Sequence, residues 1–332
     1  MPKYPKVNYI GNKEKLVDWI IDEMPLKEGI VLDIFAGGSS VSYALKKSGY
    51  KVISNDILYA DYVIAKALVE NENGHILPEM FERKIDENLV KIKRKKIGFL
   101  AGRLYYPEEV DELAKLIAIS ETLVDDDKYL FLALLRRAMI RKLPYSRMNV
   151  PWKQIQLLRD EEYSYRKYKR KRAYHNQSFE SHMRENLDAY NAAPFKAQSC
   201  CAYKKDALEL ADDIEMVDIV YMDPPYPSTM NNYDAFYGLF DMMFDMNSSH
   251  TDFTNKVTFL DNLELLISKL RNKAKYIVIS QNTRVKPEPK KLEEMLKKYG
   301  SVTVKEKEHK YQVTGKENKN ASRELLFVLE MG

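Results

Sequence analysis

Four short runs of apolar residues have the character of buried β-strands. They cover Ile30–Phe35, Lys51–Ser54, Val217–Met222 and Tyr276–Ser280, are rich in β-branched residues and are flanked by turn residues. They lack alternation with polar residues. This indicates that both faces of each strand are covered, as in a parallel sheet packed between helices.

Helical patterns separate these strands. Residues 40–48 and 262–273 carry apolar side chains at helical spacing, and Asp261 is placed to cap the second helix. Near the end of the chain, two strand-like runs at 301–311 and 323–331 flank a polar turn. The alternation predicts an α/β fold with a doubly wound, mostly parallel Rossmann-like sheet and a terminal antiparallel hairpin.

The alternation stops after about residue 70 and resumes near residue 200. Between these points, apolar residues recur at helical spacing in 112–120 and 128–143. We therefore predict a mainly helical inserted domain over residues 73–197, between the two parts of the sheet domain at 1–72 and 198–332.

The later part of this insertion carries a basic run. Six of the seven residues 166–172 are Lys or Arg, tyrosines are interleaved, and acids are absent from the run. Such runs are usually solvated surface, but tyrosines beside cations also suit phosphate binding. The candidate nucleic-acid contacts in the insertion are Arg141, Lys142, Arg147, Lys169, Arg170, Lys171 and Arg172.

The strand at 217–222 runs directly into Asp223, Pro224, Pro225 and Tyr226. Neither proline has a backbone N–H, and both fix φ near −65°, so the chain must leave the sheet there. The rigid turn holds a carboxylate and an aromatic ring at one spacing. This favours a functional site over a purely structural loop.

A turn of small residues follows the first strand. Asp33 ends the strand, and Gly37 and Gly38 allow a sharp turn and close approach of a ligand before the next helix. The turn is not a G-x-G-x-x-G motif, which disfavours a dinucleotide. Asp56 follows the neighbouring strand, where an acid can accept hydrogen bonds from ribose hydroxyls.

Composition adds few constraints. The 332-residue chain is 45% hydrophobic, and its net charge of +4 permits a polyanionic partner without requiring one. We find neither a signal peptide nor an apolar run of membrane-spanning length, so we expect a cytoplasmic protein with no membrane partner. Cys200 and Cys201 are adjacent, and the five histidines lack zinc-ligand spacing, so we expect no disulfide framework and no metal site.

The motifs together resemble one family, the DNA adenine-N6 methyltransferases of the Dam-like D12 class. The resemblance covers essentially the whole chain, and the insertion precedes DPPY, where such enzymes carry their target-recognition domain. The motifs that carry it, in the family's order, are YIGNK at 9–13, DIFAGGSSV at 33–41, NDI at 55–57, KKDA at 204–207, DPPY at 223–226 and RELLF at 323–327.

The resemblance implies a methyltransferase that uses S-adenosylmethionine and acts on double-stranded DNA. It makes 1–72 and 198–332 the catalytic domain and 73–197 the target-recognition domain. The implied cofactor contacts are Tyr9, Lys13, Asp33, Phe35, Gly37, Gly38, Asp56, Asp206 and Asp223, and the implied catalytic residues are Asp223, Pro224, Pro225 and Tyr226.

Within this set the resemblance implies individual positions. Asp33 and the turn after it border the methionine half of the cofactor, Asp56 binds the ribose, and Asp206 lies beside the adenine. Two residues depart from the family pattern: Ser39 and Asn12 stand where glycine is common.

The residues also suggest a mechanism. Asp223 and the carbonyl of Pro224 can accept the two N6–H groups of adenine, which localises the nitrogen lone pair for attack on the methyl group. Tyr226 supplies a stacking face for an adenine flipped out of the duplex. No metal ion or covalent nucleophile is needed.

Other interpretations keep the fold. The substrate could be RNA adenine or a protein amide, or the chain could be a non-catalytic nucleic-acid-binding regulator. An acid before the prolines and a large basic insertion favour DNA adenine. We also expect a monomer, either an orphan enzyme or the modification partner of a cognate restriction endonuclease.

Overall fold

The computed structural model describes residues 2–227, 232–309 and 322–332, which form two compact units. The helical unit comprises Met1–Asn12, Leu58–Lys196 and Asp234–Asn247. The sheet unit comprises Lys13–Ile57, Ala197–Tyr233 and Ser248–Gly332.

The sheet unit contains a seven-stranded sheet of order β3-β2-β1-β4-β5-β7-β6. Its strands β1 to β5 pair in parallel, and β7 pairs antiparallel with both β5 and β6. The predicted α/β sheet with a terminal antiparallel hairpin is therefore confirmed, although the turn of that hairpin lies outside the described residues. The strands are β1 Ile30–Asp33, β2 Lys51–Asn55, β3 Cys201–Tyr203, β4 Val217–Met222, β5 Ala274–Asn282, β6 Gly300–His309 and β7 Ser322–Met331.

The order of the strands places the first motif beside DPPY. Strand β1 lies between β2 and β4, with Asp33 opposite Ser54 on one side and Tyr221 on the other. The winding of the sheet reverses at this position, and open α/β sheets bind ligands outside the carboxyl ends of the strands at such a switch point. Asp33 ends β1 and Asp223 directly follows β4, so both carboxylates lie at this edge.

Helices of the sheet unit bury apolar faces against these strands. The second helical pattern forms α13, but the helix begins at Phe259 after Thr258, and Asp261 lies in its first turn. The prediction of Asp261 as the cap was wrong because burial of Phe259 and Leu263 extends the helix. The helices are α1 Val17–Asp22, α2 Ser40–Lys47, α11 Ala207–Asp213, α13 Phe259–Leu270 and α14 Pro289–Leu296.

The helical unit is built around α6, whose residues Leu130–Ile140 are buried on every side. Helix α3 continues into a π-helical turn at Lys66–Glu70. Compactness alone assigns no function, so target recognition by residues 73–197 stays a prediction. The helices are α3 Tyr59–Ala65, α4 Glu87–Lys96, α5 Pro107–Ser120, α6 Asp125–Arg141, α7 Trp152–Arg159, α8 Glu161–Tyr168, α9 Phe179–Arg184, α10 Leu187–Asn191 and α12 Tyr233–Met243.

Neither unit contains a helix, within the described ranges, whose length and apolar character would suit it to crossing a bilayer.

The entry to β1 depends on a glycine. Gly29 has a φ of +124°, and a Cβ atom there would lie 2.5 Å from Oδ2 of Asp218. That oxygen accepts a 2.8 Å hydrogen bond from the backbone N–H of Ile30. Gly49 also has a positive φ, of +95°, but no atom lies within 4 Å of its Cβ position.

We predict that Gly29→Ala lowers the free energy of unfolding by about 2 to 4 kcal/mol, because it adds a steric clash to an unfavourable φ. The matched control Gly49→Ala carries only the backbone penalty, about 1 kcal/mol. Urea unfolding of both variants measures the difference. Equal losses would show that Asp218 moves aside without cost.

Candidate active site

Asp33 is a buried carboxylate at the end of β1, with 1% of its surface exposed. Its Oδ2 accepts a 2.6 Å hydrogen bond from Ser42 Oγ, which also lies 3.0 Å from Ser54 Oγ. In the described part of the chain, Oδ1 has no hydrogen-bond partner. The pKa of Asp33 is raised to about 7: burial raises it most, the hydrogen bond from Ser42 lowers it, and the charges of Asp223 and Asp56 add to the rise.

The turn after β1 is tied to the end of β2. The backbone N–H of Gly37 donates a 2.8 Å hydrogen bond to Oδ2 of Asp56. Ser39 adopts a left-handed φ of +59°, a conformation that glycine favours, at the position where the resemblance leads one to expect glycine. Its buried Oγ has no partner among the described residues. The serine therefore adopts a backbone conformation that glycine favours, and it adds a hydroxyl to the turn.

Asn55 and Asp206 fix the loop beyond β3. The Asn55 side chain donates to the carbonyls of Ile34 and Lys205, both at 3.1 Å. Asp206 Oδ1 caps α11 through the N–H of Leu208, and its Oδ2 accepts a 2.7 Å bond from the N–H of Thr251. These hydrogen bonds of Asp206 hold the helix and the loop in place. The position of Asp206 beside the cofactor adenine stays a prediction.

Lys13 joins the end of β4 to β7. Its ammonium lies 3.1 Å from Oδ1 of Asp223 and 2.8 Å from Oε1 of Glu324. The Asp223 side chain is 22% exposed, whereas that of Glu324 is fully buried. The pKa of Asp223 is raised to about 6: burial raises it most, Lys13 lowers it, and the charge of Glu324 raises it.

The aromatic end of DPPY packs inward. Tyr226 is 5% exposed, and its hydroxyl donates a 2.7 Å hydrogen bond to the carbonyl of Ser280 on β5. Its ring centroid lies 5.3 Å from that of Phe259. Stacking of a base on Tyr226 stays a prediction, and it requires the side chain to uncover one ring face.

Tyr9 belongs to the helical unit, where it is part of an aromatic cluster. Its ring stacks on Tyr237 at 5.0 Å, and its hydroxyl donates to Oδ2 of Asp61 at 3.2 Å. The buried guanidinium of Arg136 lies over both rings, 4.7 Å from the centroid of Tyr237 and 5.8 Å from that of Tyr9. This cluster fixes the segment that precedes Lys13.

The basic run is exposed as expected. Arg166, Lys167 and residues 169–171 are exposed, and Arg172 is half-buried over the ring of Tyr168. None of the six basic residues forms an ion pair within the described ranges. Arg141 and Arg147 are half-buried and lie over aromatic rings.

Lys142 is not available to DNA, which corrects the prediction. It is 1% exposed, and its ammonium lies 2.7 Å from Oε1 of Glu109. Arg159 donates to both oxygens of the same carboxylate, at 2.6 and 2.8 Å. Lys142 is thus part of a buried ion network that holds α5, α6 and α7 together. Sequence alone could not separate it from the exposed cations, because spacing does not show which side chains at the end of α6 are covered.

Sequence reasoning did not assign roles to Glu324, Ser280 or Asn55. Glu324 stands in the RELLF motif, which was the available signal for it. Ser280 ends a predicted strand and Asn55 precedes Asp56, so neither differs locally from an ordinary turn residue.

Comparison with known proteins agrees with the motifs. Residues 9–280 match the family described as D12 class N6 adenine-specific DNA methyltransferase. The chain is 45% identical to the Type II methyltransferase M2.HphI of Haemophilus parahaemolyticus, over 99% of this chain and 98% of that protein. It is 24% identical to the modification methylase StsI of Streptococcus sanguinis, over 98% of this chain and 52% of that protein.

We predict that Asp33→Asn stabilises the protein, and more so at pH 8 than at pH 5. The pKa of Asp33 rises from 3.8 in the unfolded chain to about 7 on folding, so the cost of ionising it grows as pH rises between these values. Asparagine avoids this cost, and the stabilisation should be roughly 2 kcal/mol larger at pH 8. Urea unfolding at both pH values measures it. If the variant and the wild type differed in stability by the same amount at both pH values, ionisation of Asp33 would not destabilise the folded protein.

Proposed function

Since the chain belongs to the D12 class of N6 adenine-specific DNA methyltransferases, we propose that it takes its methyl group from S-adenosylmethionine and delivers it to an adenine flipped out of double-stranded DNA. Methyl transfer to N6 of adenine in DNA is the activity of the family. The donor, the base-flipped substrate and the roles of individual residues are our proposal. The observation that carries it is the meeting of Asp33 and Asp223 at the switch point of the sheet.

The residues at this edge suit the proposed donor. S-adenosylmethionine supplies an electrophilic methyl group on a positively charged sulfur. Asp33, Asp56 and Asp223 provide negative charge for a cationic ligand, and Asp33 Oδ1 and Ser39 Oγ are buried polar atoms without partners in the described structure. A ligand that donates hydrogen bonds would satisfy atoms that are otherwise costly to bury.

Asp223 and Pro224 activate the adenine in this proposal. The amino nitrogen of adenine is a weak nucleophile because its lone pair is delocalised into the ring. The carboxylate of Asp223 and the carbonyl of Pro224 accept its two N–H groups, which favours the tetrahedral nitrogen of the transition state. The two prolines fix these acceptors in position.

The helical unit supplies the DNA-binding surface. Residues 73–197 are proposed to recognise the target, and the exposed cations of 166–172 to contact phosphates. The names of the relatives, a Type II methyltransferase and a modification methylase, support a role beside a cognate restriction endonuclease. We further propose that the protein acts as a monomer.

We predict that Asp223→Asn lowers single-turnover methyl transfer by about a thousandfold or more, because the amide presents one fewer acceptor and no charge to the amino group. DNA affinity should change by less than about threefold, since the contact forms mainly in the transition state. The substrate is a duplex carrying the site identified by sequencing methylated adenines in DNA from expressing cells. The exposed Asp261→Asn is the matched control. Full activity of Asp223→Asn would remove Asp223 from the chemistry.

A second prediction concerns the basic run. Replacing Lys169, Arg170 and Lys171 with glutamine should weaken duplex binding and reduce the slope of log affinity against log salt by about 2 to 3, because each phosphate contact contributes close to one. Titrations at several salt concentrations measure both quantities. The control replaces three exposed lysines with glutamine, two in α14 and one just after it: Lys290, Lys291 and Lys297. Unchanged affinity and slope would make the run an ordinary surface.

A further inference from the structure

Glu324 is a buried carboxylate that no part of the proposed reaction uses. It lies on β7 and is fully buried. Its Oε1 accepts a 2.9 Å hydrogen bond from Ser280 Oγ, its Oε2 accepts a 3.3 Å bond from Asn282 Nδ2, and Lys13 lies 2.8 Å from Oε1. These three donors stabilise the buried carboxylate, because each offsets part of the free-energy cost of removing its charge from water.

Glu324 and Asp223 share one ammonium group. Lys13 lies between them, closer to Glu324 at 2.8 Å than to Asp223 at 3.1 Å. Lys13 and the two hydrogen-bond donors hold the pKa of Glu324 below its ordinary value despite burial. The charge of Glu324 in turn raises the pKa of Asp223. Lys13 therefore pairs more closely with Glu324, and it neutralises the charge of Asp223 only in part.

Ser280 extends the same support to Tyr226. Its hydroxyl donates to Glu324, and its carbonyl accepts the hydroxyl of Tyr226 at 2.7 Å. One residue of β5 therefore contacts both the carboxylate that holds Lys13 and the aromatic end of DPPY. All of these residues belong to the sheet unit.

We propose that Glu324 is a positioning residue for methyl transfer: it draws the Lys13 ammonium into a fixed place and so keeps Asp223 a strong hydrogen-bond acceptor for the adenine amino group. The inference rests on the proposed role of Asp223. With Glu324 neutral, Lys13 would pair fully with Asp223 and compete with the adenine for the same oxygens.

Other charged or titratable groups also act on Asp223, and none replaces Glu324. The charge of Asp223 raises the pKa of Asp33 at the end of β1, and it also raises those of Tyr221 of β4 and Tyr226. Both tyrosines have pKa values raised by burial, so they stay neutral over the working range. Asp33 adds repulsion of the same sign as Glu324 but makes no ion pair with Lys13 within the described residues.

The test is the pH dependence of single-turnover methyl transfer in Glu324→Gln. In the wild type, the rate should fall as pH drops through about 6, because only the ionised carboxylate of Asp223 offers a charged, strong acceptor to the adenine amino group. In the variant, this acidic limb should move down by about one pH unit, and the plateau rate should fall roughly three- to tenfold. Glu330→Gln, the same change at an exposed position of β7, should leave both unchanged.

Two outcomes would overturn the inference. If Glu324→Gln lost activity by the same factor at every pH, with the acidic limb unmoved, Glu324 would be structural only. If the variant matched the wild type in rate at every pH, Lys13 would hold its position without help from Glu324. Absence of adenine methylation by the wild type would instead refute the proposed function, so the two failures are distinguishable.

A double substitution is a second test, because it asks whether Glu324 acts through Lys13. Lys13→Met leaves Asp223 and Glu324 facing each other without a cation. If Glu324 acts through Lys13, adding Glu324→Gln should restore the rate of Lys13→Met on the order of tenfold, because it removes an uncompensated charge. Independent structural losses would add, and the double variant would then be slower than either single variant.

Discussion

Charge balance at the carboxyl edge of the sheet is the constraint on which the candidate site depends. One ammonium, that of Lys13, pairs with Asp223 and Glu324, while Asp33 is buried a short distance along the same edge with one oxygen unpartnered in the described structure. Burial of unneutralised carboxylates is costly, which is why the pKa values of Asp33 and Asp223 are raised. A site of this kind gains stability from a cationic ligand, and it sacrifices stability of the free protein for function.

The parallel sheet concentrates this charge. Strand β1 lies between β2 and β4, so three successive carboxyl ends open on one edge, and the antiparallel β7 brings Glu324 beside them. The backbone N–H of Gly37 and the side chain of Asn55 then connect the ends through hydrogen bonds. The acids are held by strand register and short turns, which makes their spacing largely independent of side-chain flexibility.

In the helical unit, charge serves a second purpose. Glu109, Lys142 and Arg159 form a buried network that ties helices together, and removing Glu109 would leave two buried cations without their shared carboxylate. The cations of 166–172 differ in both exposure and pairing, since all but the half-buried Arg172 face solvent and none forms an ion pair within the described ranges. Burial and pairing, and not the residue type, separate cations that stabilise the fold from cations that are free to meet phosphates.

The sequence by itself determined the fold class, the family and the position of DPPY, because β-branched runs, glycine turns and paired prolines act locally on the backbone. Only the tertiary structure decided the partners. The burial of Lys142 depends on what packs around the end of α6, and the inward orientation of Tyr226 is accompanied by a hydrogen bond to the carbonyl of Ser280. The link between Lys13 and Glu324 joins residues more than three hundred positions apart. Local pattern carries no information about such pairings, because they arise from strand order and burial.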